Sequence, residues 1–154
     1  MVPSTQPNSF TVVAIGLPAA GIARARPLLE RLPIGPEAAV AIVSRPDVLI
    51  AKLESIFGAD APWSVVVARE GQRLEPGSCY CVPDSGALGL RDGHFVSTGG
   101  RGGETPINRF FRSLADAFQS RGIGILFSDT GGDGLEGLRA VMAEGGLALA
   151  ELSA

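Results

Sequence analysis

Hydrolysis needs a nucleophile with a base beside it, and metal chemistry needs several ligands brought together. Few residues of this sequence offer either. The single histidine, His94, follows Asp92-Gly93, a dipeptide that favours a tight hairpin turn, so it reads as a turn-flanking residue and not as a general base. Cys79 and Cys81 are the two thiols. Two apart on a strand, they share a face, lie poorly for pairing with each other and have no adjacent cation to favour a thiolate, so reduced core thiols are expected. Asp129 and Asp133 stand four apart in a glycine-rich loop and could share a metal or acid–base work, but no third ligand lies nearby in sequence, and loop capping accounts for both. Asp133, Gly134, Leu135 and Glu136 have the spacing of an Asp-x-x-Glu box, in which Asp133 caps its own helix and Glu136 reaches back to it. Ser44 and Asp47 have the same spacing around Pro46, which predicts a second cap of this kind. Residues 99–103, with Arg101 among glycines, could wrap a small anion; lacking a Gly-Lys pair, the stretch reads as a surface loop. Residues 16–21 carry no hydroxyl, thiol, carboxylate or amide side chain, and Pro18 occupies the central glycine position of a dinucleotide fingerprint. No cofactor and no metal is expected.

The elements that must position these groups alternate. Short apolar or β-branched runs at 11–15, 38–43, 63–68, 79–82, 123–127 and 147–152 read as buried strands. Between several of them lie helical periodicities. The clearest places Ile107, Phe110, Phe111, Leu114, Ala115 and Phe118 on one stripe, with Thr105 and Pro106 at the N-cap and first helical positions. A second carries Leu49, Leu53, Ile56 and Phe57, and a third carries Leu135, Leu138, Val141 and Met142 before Gly145-Gly146 stops it. A weaker segment at 22–32 contains Pro27 and should be kinked or start late. Alternating strands and helices predict a three-layer, doubly wound α/β domain with a mainly parallel sheet, interrupted mid-chain by a β-hairpin at 88–96. Ligands of such sheets sit at the carboxyl ends of strands, which directs attention to the loops at 16–21, 44–47 and 128–134.

Composition sets the outer bounds. A chain of 154 residues fits one domain, expected at 10–154 behind a flexible tail at 1–9, and its 45% apolar content suffices for a core. The net charge of −3, with Arg and Lys scattered and not striped, excludes a nucleic-acid footprint. The apolar run at 10–23 is broken by Gly16, Pro18 and Gly21, and no Lys or Arg precedes it, so neither a secretory signal nor membrane insertion is expected and the cytoplasm is the expected compartment.

In order along the chain, these motifs resemble the catalytic domain of CheB-type protein-glutamate methylesterases. Val13-Ala14-Ile15-Gly16 and the loop to Gly21 look like that family's first strand and its Gly-Ala-Ser-Thr-Gly-Gly loop, with the nucleophilic serine falling on Pro18. Ile42 to Pro46 is similar to the family's Gln-His-Met-Pro segment, with the histidine falling on Ser44. The stretch at 69–83 resembles its Asp-Gly-Glu, Leu-x-Pro-Gly and Tyr-x-Ala-Pro run. Ile125 to Gly134, ending in Gly131-Gly132-Asp133-Gly134, looks like its Leu-Thr-Gly-Met-Gly-x-Asp-Gly, which puts the triad aspartate on Asp133. The resemblance thus implies a methylesterase fold that keeps one triad member. Proline cannot attack an ester, and a serine cannot serve as base near neutral pH. The function implied is non-catalytic recognition of a chemoreceptor or another signalling protein. Two rivals stand beside it: a carboxyl ester hydrolase with a relocated nucleophile, and a small-anion or nucleotide-binding module. The terminal strand at 147–152 is expected at a sheet edge, available to form a homodimer or to pair with a partner strand.

Overall fold

The computed structural model describes residues 10–32, 35–57, 65–84, 87–98, 104–128 and 130–152. The expected tail at 1–9, Trp63, the glycine-rich residues 99–103 with Arg101, and Asp129 fall outside these.

Among the described residues, eight strands and four α-helices follow one another as β1 (Thr11–Gly16), α1 (Arg26–Glu30), β2 (Ala38–Ser44), α2 (Pro46–Phe57), β3 (Val65–Val67), β4 (Cys79–Pro83), β5 (Leu88–Arg91), β6 (His94–Ser97), α3 (Pro106–Phe118), β7 (Gly122–Leu126), α4 (Leu135–Ala143) and β8 (Leu147–Ala150). Six strands form a sheet in the order β3-β4-β2-β1-β7-β8, and every pairing in it is parallel. From β1 the chain winds outward first through β2 and later through β7, so the sheet is doubly wound as the alternation predicts, with its switch point between β1 and β7.

Strand alternation divides the core. Val13, Ile15, Val40, Ile42, Cys79 and Cys81 project to one face, where Leu29 of α1 and Leu49 and Leu53 of α2 cover them. Val12, Ala14, Ala41, Val43, Tyr80 and Val82 project to the other, under α3 and α4. Three layers result. The stripe read on α3 is the buried one: Ile107, Phe110, Phe111, Leu114, Ala115 and Phe118 all face inward. α1 starts late, at Arg26, because Pro27 occupies its first turn, where a missing N–H costs nothing.

The hairpin β5–β6 turns at Asp92 and Gly93, both with positive φ, as the type I′ signal requires. It is pinned to α3 by Leu90 N–H donating to Ser113 Oγ at 2.9 Å, and Phe95 packs between the rings of Tyr80 and Phe110. Among the described residues no helix is long and apolar enough to cross a membrane.

Candidate functional site

A parallel sheet leaves its strand ends splayed at the switch point, and the cleft expected there is present. It encloses about 280 Å³ and is lined by Leu17 and Pro18 after β1, Val43 and Arg45 at the end of β2, Asp84 after β4, Pro106 and Ile107 of α3, and Thr130 and Asp133 of the β7–α4 loop. Two of the three positions singled out by sequence, Pro18 and Asp133, therefore share one cleft. Ser44 does not line it. Val43 belongs to the α3 face of the sheet, so the alternation turns Ser44 toward the α1–α2 side, where it is 2% exposed. Its Oγ has no hydrogen-bond partner among the described residues.

That last fact corrects one expectation. Ser44 does not cap α2, because it is the final residue of β2, one position too early, while Asp47 faces solvent beside Arg45 at 3.8 Å.

Asp133 supplies a second correction. It does not cap α4, whose N-cap is Gly134, and Glu136 reaches Arg112 at 3.4 Å instead of turning back. The Asp133 carboxylate crosses to α3. Oδ2 accepts Ile107 N–H at 2.9 Å, Oδ1 accepts Asn108 N–H at 2.9 Å, and Thr105 Oγ donates to Oδ1 as well. Thr105 is the N-cap residue as expected, yet its own hydroxyl makes no cap; a carboxylate from another helix's loop takes that role, where the N-terminal dipole favours a negative charge.

The service is returned. Asn108, in the first turn of α3, directs Oδ1 at Gly134 N–H (3.1 Å) and Gly137 N–H (2.8 Å), capping α4, and its Nδ2 donates to Thr105 Oγ at 2.9 Å. This requires close contact between the helices. A Cβ at Gly137 would meet Asn108 Cα at 2.9 Å, and one at Gly134, whose φ is +108°, would meet Leu126 at 2.5 Å, so both positions exclude larger residues. Sequence reading missed Asn108. Its signal was present in Thr105-x-x-Asn108, the spacing of a capping pair at a helix start.

The remaining candidate groups lie elsewhere. Cys79 and Cys81 are free and buried in β4. Burial, aided by the Asp84 charge, pushes the Cys81 thiol up to about 12, and burial likewise raises Cys79. Neither is a thiolate near neutral pH. His94 is exposed on β6, its Nδ1 2.8 Å from the Asp92 carbonyl, away from the cleft lining. Among the described residues no group of three or more His, Cys, Asp and Glu side chains could hold a metal.

A second polar cluster went unforeseen. Glu151, just past β8, accepts from Arg24 Nε (3.2 Å) and NH2 (3.0 Å), from Ser128 N–H (2.9 Å) and from Ser128 Oγ (2.8 Å). The Arg24 guanidinium foremost, then the Ser128 bonds, hold its carboxyl down at about 2.

A doubly wound parallel sheet with its cleft at the switch point, rimmed by a carboxylate from the loop after β7, defines a class of α/β domains that present reactive groups at strand ends. Within that class the chain belongs to the CheB methylesterase family, whose model matches residues 13–154. It is 29% identical over 157 residues to the protein-glutamate methylesterase/protein-glutamine glutaminase of group 3 operon of Rhizobium meliloti (strain 1021), covering 97% of this chain and 44% of that protein. With protein-glutamate methylesterase/protein-glutamine glutaminase 3 of Anaeromyxobacter dehalogenans (strain 2CP-C) the identity is 33% over 152 residues, covering 93% and 44%. The chain thus spans less than half the length of these relatives. The fold is also that of the Thermotoga maritima CheB methylesterase catalytic domain, at a TM-score of 0.73 and 22% identity, covering 91% of this chain and 78% of that one.

Proposed function

We propose that this chain is a catalytically silent member of its family, a methylesterase-fold domain that recognises a protein partner without hydrolysing it. The observation that carries this reading is the occupation of the strand-end cleft. Pro18 stands where a nucleophile would project, and both oxygens of Asp133 are engaged by Thr105 and the first amides of α3. Acyl-ester hydrolysis by a serine route needs a hydroxyl, a base in contact with it and a carboxylate free to orient that base. Here the first is a proline, the base position carries a buried serine, and the carboxylate already serves as a helix cap.

A relocated nucleophile gains no support, since the thiols are buried and protonated and His94 lies off the cleft. On this reading the partner is a chemoreceptor or another signalling protein met in the cytoplasm, and the cleft with its rim charges Arg45 and Asp84 is the contact face. Incubation with a glutamyl methyl ester peptide and with its glutamine counterpart tests the reading. Methanol and ammonia release are expected at the level of the buffer alone. Release above that level, abolished by substituting Cys79, Cys81 or His94, contradicts it.

A further inference from the structure

The hairpin β5–β6 has a short third strand beside it. Residues 71–74 run antiparallel to β6: Gly71 N–H donates to Phe95 O at 2.7 Å, Phe95 N–H to Gln72 O at 2.8 Å and Leu74 N–H to Gly93 O at 2.8 Å. Those bonds set Arg73 directly opposite His94 as a non-hydrogen-bonded pair, where side chains approach most closely. On its other side His94 is paired with Arg91 of β5. Residues paired across strands share a face, so Arg73, His94 and Arg91 stand in one row on three neighbouring strands. The row is exposed, while Leu74, Leu90 and Phe95 of the same strands are buried in the core.

The backbone under the row is fixed. Tyr80 Oη accepts Glu75 N–H at 2.8 Å and donates to Arg73 O at 3.4 Å, and the Tyr80 ring packs edge-on against Phe95. The charges above it are uncompensated. Arg24, Arg45 and Arg112 each meet a carboxylate, at 3.0, 3.8 and 2.7 Å, whereas the guanidinium groups of Arg73 and Arg91 meet none among the described residues, although Glu75 and Asp92 are close in sequence. His94 Nδ1 is taken by the Asp92 carbonyl, which leaves Nε2 for a partner. Like charges opposite one another on a sheet are unfavourable, and a chain of net charge −3 does not gather them by composition. A facing anion would supply what the fold does not.

Spacing selects the kind of anion. Neighbouring strands lie about 4.8 Å apart, so the row spans about 10 Å. Glutamates at i, i+4 and i+7 of a helix share one face and rise over about 10.5 Å. Same-face residues i, i+2 and i+4 of an extended strand take about 13 Å, and a single phosphate offers only one point.

We infer that the row Arg73, His94 and Arg91 docks the acidic face of a helix on a protein partner. The row lies outside the cleft lining, so the inference stands whether or not the cleft hydrolyses anything. Fluorescence anisotropy with a labelled, alanine-rich helical peptide of about 18 residues, carrying glutamates at i, i+4 and i+7, tests it. Binding is expected to weaken about tenfold between roughly 20 and 200 mM salt, and to be about tenfold tighter than for a peptide with the same glutamates at i, i+2 and i+5, which scatters them round the helix. Arg73→Glu with Arg91→Glu should abolish it. Arg31→Glu with Arg139→Glu, the same charge change at exposed arginines elsewhere, should leave it within about twofold. All four sites are exposed, and matching melting curves will show that the variants are folded. Absence of binding at low salt, equal binding of the two peptides, or equal loss in the two variants overturns the inference. So does full displacement of the peptide by inorganic phosphate but not by chloride of equal ionic strength, which would mark a single-anion site.

Discussion

Two regions at the strand ends treat their side chains in opposite ways. At the α3–α4 corner, Asp133, Thr105 and Asn108 form a reciprocal lock in which each helix's first turn is capped by a side chain from the other's neighbourhood. At the β1–β2 ends, Pro18 offers no polar side chain and Ser44, turned away from the cleft, buries a hydroxyl that has no partner among the described residues. A buried hydroxyl left without a partner costs stability. The difference teaches which part of the strand-end region serves the architecture. Asp133 ties the starts of two helices together, whereas no side-chain hydrogen bond among the described residues holds Pro18 or Ser44.

Breaking the lock should produce the largest effects. Asp133→Ala removes a charged acceptor from two amides and a hydroxyl at once, and is expected to cost about 3 kcal/mol in urea denaturation. A loss below about 1 kcal/mol would mean that water replaces the carboxylate freely and that the corner is not a lock. Asn108→Ala orphans the Gly134 and Gly137 amides, both in buried hydrogen bonds, and should cost about 2 kcal/mol by the same measurement.

The comparison sharpens at a third corner, where Glu151 ties β8 to Arg24 and Ser128. Its folded-state carboxyl lies near 2, below its ordinary value of 4.5, so the tie contributes fully above about pH 4.5 and is lost as pH falls toward 2. Glu151→Gln should therefore flatten the pH dependence of the denaturation midpoint across that window and in no other. Parallel curves for wild type and variant would show that the cluster contributes nothing specific. The smallest effect belongs to the Ser44 hydroxyl, which has no partner among the described residues: Ser44→Ala should change stability by no more than about 0.5 kcal/mol, in the stabilising direction if at all. A clear destabilisation would reveal a partner for Ser44 Oγ and erase the contrast between the corners.

Much of the fold was legible because strands and helices carry their periods locally. The α3 stripe, the Asp92-Gly93 turn and the late start of α1 around Pro27 all follow from a few neighbouring residues. Both misreadings concern caps. Asp133 and Ser44 have the spacing to cap the helices that follow them, and local spacing is silent on whether another helix will claim the carboxylate or the strand will end one residue late. Asp133 meets α3 across 26 positions of sequence, and Glu151 meets Arg24 across 127, separations at which no motif announces a partner. The cleft itself was legible, since the switch-point rule needs only strand order. Its interior was only partly so, because the face on which Ser44 lies depends on the register of β2.

Asp133 caps α3, and the proposed function holds that it orients no base. Asp133→Asn separates the two roles, because the amide replaces one of two accepting oxygens with a donor that faces N–H or O–H groups, while preserving shape. Measured together by urea denaturation and by methanol release from a glutamyl methyl ester peptide, the variant is expected to lose about 1–2 kcal/mol of stability with release unchanged at background. A variant as stable as wild type, in which a measurable wild-type turnover has disappeared, would contradict the account and restore Asp133 to a working active site.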